Sequence, residues 1–135
     1  MKKILPNDNN PFFDEKMETM TRAQIEALQL ERLQTTVQHC MNSPFYRKRF
    51  EEAGLKPEDI KTLDDIRRIP FTTKQDLRDT YPFGMASAPL RDCIRLHSSS
   101  GTTGNPTVIL HTQNDIDEWA NQVARNLWMV GLRPD

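Results

Sequence analysis

The residues best suited to chemistry in this 135-residue chain form one short run, Ser98-Ser99-Ser100-Gly101-Thr102-Thr103-Gly104-Asn105-Pro106. Glycine lets backbone N–H groups approach phosphate oxygens closely, and serine and threonine hydroxyls donate further hydrogen bonds. The run therefore predicts a phosphate-binding loop. Its candidate phosphate ligands are Ser99, Ser100, Gly101, Thr102, Thr103 and Gly104.

The run differs from the phosphate loop of P-loop NTPases, which needs Gly-Lys-Ser/Thr leading straight into a helix. Here Gly104-Asn105-Pro106-Thr107 leads into a predicted strand, and no lysine or arginine occurs from position 96 to position 114. Unless a cation comes from elsewhere in the protein, Mg²⁺ and backbone dipoles must neutralise the bound phosphates. Composition alone fits equally well a Ser/Gly-rich hairpin connection that binds nothing.

Other reactive side chains are scattered along the chain. No pair of carboxylates and no Ser-His-Asp order suggests acid–base or nucleophilic catalysis. Cys40 and Cys93 lack the spacing of a metal site, which favours free thiols in a reducing cytoplasm, and no metal ligand is assigned. His97, next to the loop, can hydrogen-bond a phosphate or serve as a structural residue at a strand end. Trp119 is expected in the core and not in a ligand pocket, because it lies on an apolar helix stripe.

Two strands and a helix are predicted around the loop. Short runs with β-branched residues at 93–96 and 107–110 predict a strand on either side of it. A helix over 113–130, begun at Thr112 and ended by Gly131, is predicted from apolar residues at helical spacing, namely Ile116, Trp119 or Ala120, Val123, Leu127 and Val130.

The first part of the chain has helical patterns only. A helix over 21–41 is predicted from the Thr21–Gln24 capping-box spacing and from a stripe that comprises Ile25, Leu28, Leu33, Val37 and Cys40 or Met41. Pro44 ends any continuation. Short helices, not strands, are expected over 55–69, with Thr62 and Asp65 spaced as a cap, and another after Thr72 or Thr73 that ends near Gly84. The expected organisation is a mainly helical segment over 1–92, followed over 93–135 by the start of an α/β core.

Composition places the chain among ordinary globular proteins, with 36% hydrophobic and 27% charged residues. A formal net charge of −1 gives no basic footprint for nucleic acid. The chain shows no membrane-spanning pattern, and its first residues lack the apolar core of a signal peptide.

The loop, with Pro106-Thr107 behind it, is similar to the phosphate loop of the adenylate-forming superfamily, and it resembles that of phenylacetate-CoA ligases best. Further similar stretches run from about Thr35 to the end of the chain. They are Ser43-Pro44-Phe45-Tyr46-Arg47, Leu63-Asp64-Asp65-Ile66, Pro70-Phe71-Thr72-Thr73-Lys74, Asp76-Leu77-Arg78, Tyr81-Pro82-Phe83-Gly84-Met85, Asp115-Ile116, Trp119-Ala120, Val123-Ala124-Arg125 and Gly131-Leu132-Arg133-Pro134.

The resemblance implies an α/β fold, the N-terminal part of the large domain of an adenylate-forming enzyme. It also implies a two-step reaction. An aryl acid's carboxylate attacks the α-phosphorus of Mg-ATP, giving an acyl-adenylate and pyrophosphate, and coenzyme A thiolate then displaces AMP. The loop would hold the β- and γ-phosphates. The implied partners are the aryl acid (phenylacetate), ATP, Mg²⁺ and coenzyme A; a homodimer is an open option, and neither nucleic acid nor membrane is expected.

Two residues depart from the pattern of this family. Asn105 stands where the family commonly has lysine, and His111 where it usually has tyrosine. The family enzyme is about three times this length, so the chain is expected to be an N-terminal fragment and inactive alone. Two alternatives stay open: a phosphate- or nucleotide-binding module (or degenerate homologue) without ligase activity, which Asn105 favours, and a structural domain that mediates assembly.

Overall fold

The computed structural model describes residues 11–100 and 106–133. Within these ranges, five α-helices and two strands follow one another as α1 Glu15–Glu18, α2 Arg22–Cys40, α3 Pro44–Glu52, α4 Lys74–Asp79, β1 Cys93–Ser98, β2 Val108–Thr112 and α5 Gln113–Met129. Short 3₁₀ helices occupy Pro57–Asp59, Leu63–Arg68 and Leu90–Asp92. The described part is helical before Cys93, and its sheet begins there, which confirms the predicted α/β fold class.

Helix α2 begins where the capping box predicts. The Thr21 backbone N–H donates to Gln24 Oε1 at 2.8 Å, and the Gln24 N–H donates to Thr21 Oγ1 at 3.3 Å. Each side chain thus satisfies a backbone group that the first turn leaves unpaired. Val37, on the predicted stripe, is the buried residue of this helix, so the stripe faces the core.

Helix α3 is an element that the sequence analysis did not assign. Pro44 ends the previous helical run, as predicted, but it also occupies the first position of α3. Proline fits there because its missing N–H has no helical acceptor at that position. The helix ends at Glu52, and Gly54 follows its C-cap with a φ of +61°, which lets the Leu55 N–H reach the Phe50 carbonyl at 3.0 Å.

The 3₁₀ turns and α4 confirm the predicted short helices and their caps, but α4 ends at Asp79 and does not reach Gly84 as predicted. The Thr62 N–H donates to Asp65 Oδ2 at 2.8 Å, and the Thr73 N–H donates to Asp76 Oδ2 at 2.7 Å. Thr73, and not Thr72, is therefore the residue that begins α4. The Arg49 guanidinium also bonds to Asp76 and so ties α3 to the start of α4.

The main core lies within the helical part. Val37, Phe50, Leu55 and Ile60 are each at most 5% exposed, and Leu33, Met41 and Ile69 pack against them. These residues come from α2, from α3 and from the turns that follow it. Ile66 departs from the predicted apolar face of these turns, because 56% of it is exposed.

Strands β1 and β2 form a two-stranded antiparallel sheet. Both strands run two residues further than predicted, and β2 starts at Val108. Cys93 pairs with Thr112 and Arg95 pairs with His111, so Ile94 is an extra residue in β1 and forms a bulge. Thr112 ends β2 and also caps α5, since its N–H donates to Asp115 Oδ2 at 2.7 Å. No linker residue separates the strand from the helix, which fixes the direction in which α5 leaves the sheet.

Helix α5 buries a different side from the one that its apolar stripe predicts. Trp128 is 7% exposed and packs edge-on against Phe13, with ring centroids 5.9 Å apart. By contrast, Trp119 is 48% exposed, so its expected place in the core is wrong. The physical reason is that the N-terminal segment covers the Trp128 side of the helix, where Arg125 also pairs with Glu18 at 2.8 Å. Gly131, at φ +92°, ends the helix as predicted.

None of the helices in the described ranges is both long enough and apolar enough to cross a membrane.

Candidate phosphate-binding site

The predicted loop leaves the sheet between two backbone segments that are bonded to each other. The Ser99 N–H donates to the Thr107 carbonyl at 3.1 Å, and the Thr107 N–H donates to Ser99 Oγ at 3.0 Å. Thr107 is only 8% exposed, so its N–H depends on this partner. The pair closes the base of the loop and holds its two ends side by side.

Ser99 therefore has a structural task in addition to its predicted one. Its Oγ accepts a hydrogen bond from Thr107, but a hydroxyl retains a proton that it can donate to a phosphate oxygen. Ser99 and Ser100 are both exposed at the end of β1. The other four predicted ligands, Gly101, Thr102, Thr103 and Gly104, lie outside the described residues, as does Asn105.

A cluster of three aromatic rings lies beside the base of the loop. The ring centroids of His97 and His111 are 4.8 Å apart, and each ring lies within 6 Å of Trp119, at 5.5 and 5.8 Å. His97 lies one residue before the end of β1, and Trp119 comes from the second turn of α5. The cluster thus joins both strands to the helix and stiffens the support of the loop.

Positive charge near the loop is sparse in this chain. Arg95 is the arginine that precedes the loop in the sequence. It lies opposite His111 in the antiparallel strand register, so the two side chains share a face of the sheet. Asp65 and Asp76, both in the helical part, have a lowered pKa. Backbone N–H groups of Lys61 and Thr62 and the Thr62 hydroxyl, aided by Arg68, hold the pKa of Asp65 well below its usual range.

A half-open cleft of about 810 Å³ lies between the helical part and the outer side of β2. The sequence analysis did not foresee it, because its walls come from residues as far apart as Thr35 and Asp115. Its apolar lining includes Leu77, Phe83 and Leu110. Within the described ranges, no group of three or more histidine, cysteine, aspartate or glutamate residues is arranged to hold a metal ion.

Comparison with known proteins gives a consistent result. The chain is 50% identical over 119 residues to phenylacetate-coenzyme A ligase of Escherichia coli (strain K12), a match that spans 87% of this chain and 27% of that protein. The ligase of the same name from Pseudomonas putida is 50% identical over 121 residues, covering 87% of this chain and 28% of the relative. The ligase of this name from Thermus thermophilus is 46% identical over 123 residues, covering 90% of this chain and 28% of the relative. No protein-family model matches the chain.

Solved structures agree with these relatives. The structure of 2-hydroxyisobutyryl-CoA ligase in complex with 2-HIB-AMP and CoA matches with a TM-score of 0.88 at 36% identity, over 98% of this chain and 29% of that one. An open conformation of the same ligase matches with a TM-score of 0.86 at 33% identity.

The chain spans little more than a quarter of the curated relatives, 27% to 28% of their length. The resemblance predicted from the loop and its flanking stretches is confirmed: over nearly its whole length the chain is similar to phenylacetate-CoA ligases, and its fold matches the N-terminal part of the large domain of an adenylate-forming enzyme.

Proposed function

We propose that this chain supplies the ATP phosphate-binding loop of an AMP-forming phenylacetate-CoA ligase. The observation that carries the proposal is the pair of hydrogen bonds between Ser99 and Thr107, which closes a hydroxyl- and glycine-rich loop in a chain 50% identical to such ligases. The phosphate ligands proposed are Ser99, Ser100, Gly101, Thr102, Thr103 and Gly104.

The proposed role of the loop is electrostatic. Glycines at positions 101 and 104 allow the backbone to approach the β- and γ-phosphates, and the neighbouring hydroxyls donate to the phosphate oxygens. Such donors orient the nucleotide and stabilise the charge that moves onto pyrophosphate as the bond to the α-phosphorus breaks. The Ser99–Thr107 hydrogen bonds hold the two flanking residues of this loop side by side.

The proposed reaction has two steps. The carboxylate oxygen of phenylacetate attacks the α-phosphorus of ATP, which forms the acyl-adenylate and releases pyrophosphate. Coenzyme A thiolate then attacks the acyl carbon, which forms the thioester and releases AMP. Mg²⁺ is proposed to arrive with the ATP phosphates and to offset their charge. We assign it no ligand among the described residues.

The loop is one wall of such a site, so the chain by itself is proposed to have at most weak affinity for ATP and no ligase activity. The walls that bind the acid and exclude water are proposed to come from polypeptide equivalent to the rest of the relatives. A cytoplasmic location is also proposed, because Cys40 and Cys93 are both free thiols and a reducing compartment keeps thiols in this state.

The test is a chimera in which this chain replaces the matching part of the Escherichia coli relative. We expect phenylacetate-dependent release of pyrophosphate and formation of the coenzyme A thioester. A Thr102→Val, Thr103→Val double variant should lower kcat/KM for ATP about 100-fold or more, since lost donors to a charged group cost about 1.5–3 kcal/mol each. A Thr19→Val variant, at an exposed position outside the cleft beside β2, is the control and should keep the activity.

Wild-type pyrophosphate release by the double threonine variant would show that the loop does not bind the ATP phosphates. A chimera that binds ATP without acid-dependent turnover would support the alternative of a nucleotide-binding module. Asn105 is the residue that favours this alternative, so an Asn105→Lys variant that restores turnover would assign the defect to that position.

A further inference from the structure

Two histidines lie on one face of the sheet, beside the base of the loop. In the strand register Arg95 is opposite His111 and His97 is opposite Ile109, so both imidazoles project from the same face. Their ring centroids are 4.8 Å apart, and the ring planes are inclined by 65°. Both residues are half-buried. Two imidazoles from different strands are thus held close together at a surface that a solute can reach.

Trp119 holds one of the two rings more firmly than the other. The His111 ring is stacked on Trp119, with an interplanar angle of 29° and centroids 5.8 Å apart. The His97 ring meets Trp119 edge-on, at 72° and 5.5 Å. His97 is therefore the ring that is free to turn about χ2, a torsion with a broad energy profile in histidine. An apolar ring packed against two imidazoles limits the access of water, as the surroundings of metal-bound histidines do.

We propose that His97 and His111 form a two-histidine site for a divalent transition-metal ion of the zinc class. Imidazole nitrogen suits Zn²⁺, Ni²⁺ and Cu²⁺, whereas Mg²⁺ takes oxygen ligands. The site is therefore separate from the Mg²⁺ that accompanies ATP, and it does not rest on the proposed function. Within the described ranges, no third histidine, cysteine, aspartate or glutamate completes the ligand set, so water or an anion fills the remaining positions.

The spacing of the two rings fits shared coordination. A Zn–N bond is about 2.0–2.1 Å long and a ring nitrogen lies about 1.1 Å from its ring centre, so an ion in the ring plane lies about 3.2 Å from that centre. Tetrahedral coordination would then place the two ring centres about 5.2 Å apart. The observed separation is 4.8 Å. Rotation of His97 about χ2 aims one of its nitrogens at the same point as a nitrogen of His111, and the strands need not move.

An ion bound to both rings would join β1 to β2 next to the residues that close the loop base. His97 lies two residues before Ser99, whose hydroxyl oxygen accepts the Thr107 N–H. Separation of the strands at this point would require the ion to leave one histidine, so metal binding favours the closed base. Because His111 stands where the family usually has tyrosine, the histidine pair distinguishes this chain from most of the family.

Arg95 opposes the bound ion. It lies on the same face of the sheet, opposite His111, and its side chain is exposed. Like charges repel, but at an exposed position water and salt screen most of this repulsion. An Arg95→Gln variant should therefore bind zinc about two- to fivefold more tightly than the wild type. Simple packing of the three rings gives no reason for such a gain.

The first experiment is a calorimetric titration of the chain, free of any polyhistidine tag, with zinc chloride. One ion should bind per chain. His97→Gln and His111→Gln should each weaken binding at least about tenfold, because loss of a group that only orients a ligand already costs about 10- to 100-fold. His39→Gln is the matched control, since His39 lies on α2 outside the ring cluster, and it should leave the affinity unchanged.

The second experiment needs no substitution. Zinc should shift the imidazole NMR signals of His97 and His111 and leave those of His39 in place. At a free zinc concentration ten times the Kd, exchange of the Thr107 amide should slow about tenfold, because the ion binds both rings only while the strands are paired.

Several results would overturn the proposal. One is equal zinc affinity in the wild type and in both of the variants that lack a proposed ligand. Another is a zinc-induced shift centred on His39, which lines the cleft beside β2 together with Cys40 and Cys93 and would then be the site. Failure of zinc to shift either imidazole of the pair would refute the site outright. Unchanged Thr107 exchange in the zinc-bound chain would show that the ion does not join the two strands.

Discussion

Replacement of Ser99 by alanine tests whether the base of the loop is closed as the structure shows. The substitution removes the oxygen that accepts the Thr107 N–H at 3.0 Å, while the Ser99 N–H can still donate to the Thr107 carbonyl. The Thr107 residue is 8% exposed, so water has little access to its N–H once the partner is lost. A buried donor left without an acceptor costs about 1–3 kcal/mol.

This cost should appear first as local opening of the loop base. Converted at room temperature, it corresponds to about 5- to 150-fold faster hydrogen exchange of the Thr107 amide. The assay is native-state hydrogen exchange of the chain, followed residue by residue. In the active chimera, the same variant should raise KM for ATP more than it lowers kcat, because it opens the loop base and also removes the Ser99 hydroxyl, a proposed phosphate donor.

Ser98→Ala is the matched control for this prediction. The Ser98 hydroxyl donates to the exposed Ser99 carbonyl at 3.1 Å, which water can replace. Its loss should leave Thr107 exchange within about twofold of the wild type. The reasoning would be refuted if Ser99→Ala left the Thr107 amide as protected as it was before, or if both alanine variants accelerated its exchange equally.

Three further outcomes follow from the fold. The pKa of Asp65 and that of Asp76 are lowered in the folded state, so their stabilisation is fully present above the unfolded pKa of about 3.9 and is lost as pH falls below it. The Tm of Asp65→Asn and Asp76→Asn variants should therefore fall less than that of the wild type between about pH 4 and pH 2. A fall in Tm as large as in the wild type would contradict this. Phe50→Ala should cost about 3–5 kcal/mol in the free energy of unfolding measured with urea, whereas Phe83→Ala, at a 38% exposed position, should cost far less. Gly131→Ala should lower the unfolding free energy by roughly 1 kcal/mol through its φ of +92° alone, since nothing beyond its own chain neighbours lies within 4 Å of the added methyl group among the described residues. A stabilised variant would contradict the helix ending described here.

The parts of the fold that the sequence predicted are those governed by near neighbours. The caps at Thr21, Thr73 and Thr112 each depend on a side chain three residues further on, so their spacing alone specifies where the helix begins. The loop between two strands was predicted for a similar reason, since glycine and hydroxyl residues interrupt two β-branched runs. The family resemblance depends on the same local stretches.

The parts that only the tertiary structure decided are those governed by distant residues. Periodicity finds the apolar side of α5, but it does not determine which side is covered. Trp128 is buried because Pro11, 117 positions away, accepts its indole N–H and Phe13 packs on its ring, whereas Trp119 on the apolar stripe stays half exposed. The bond from the Thr107 N–H to Ser99 Oγ likewise forms only when the two strands pair and bring both ends of the loop together. Local spacing sets the conformation of a segment, but burial depends on what the rest of the chain brings against it.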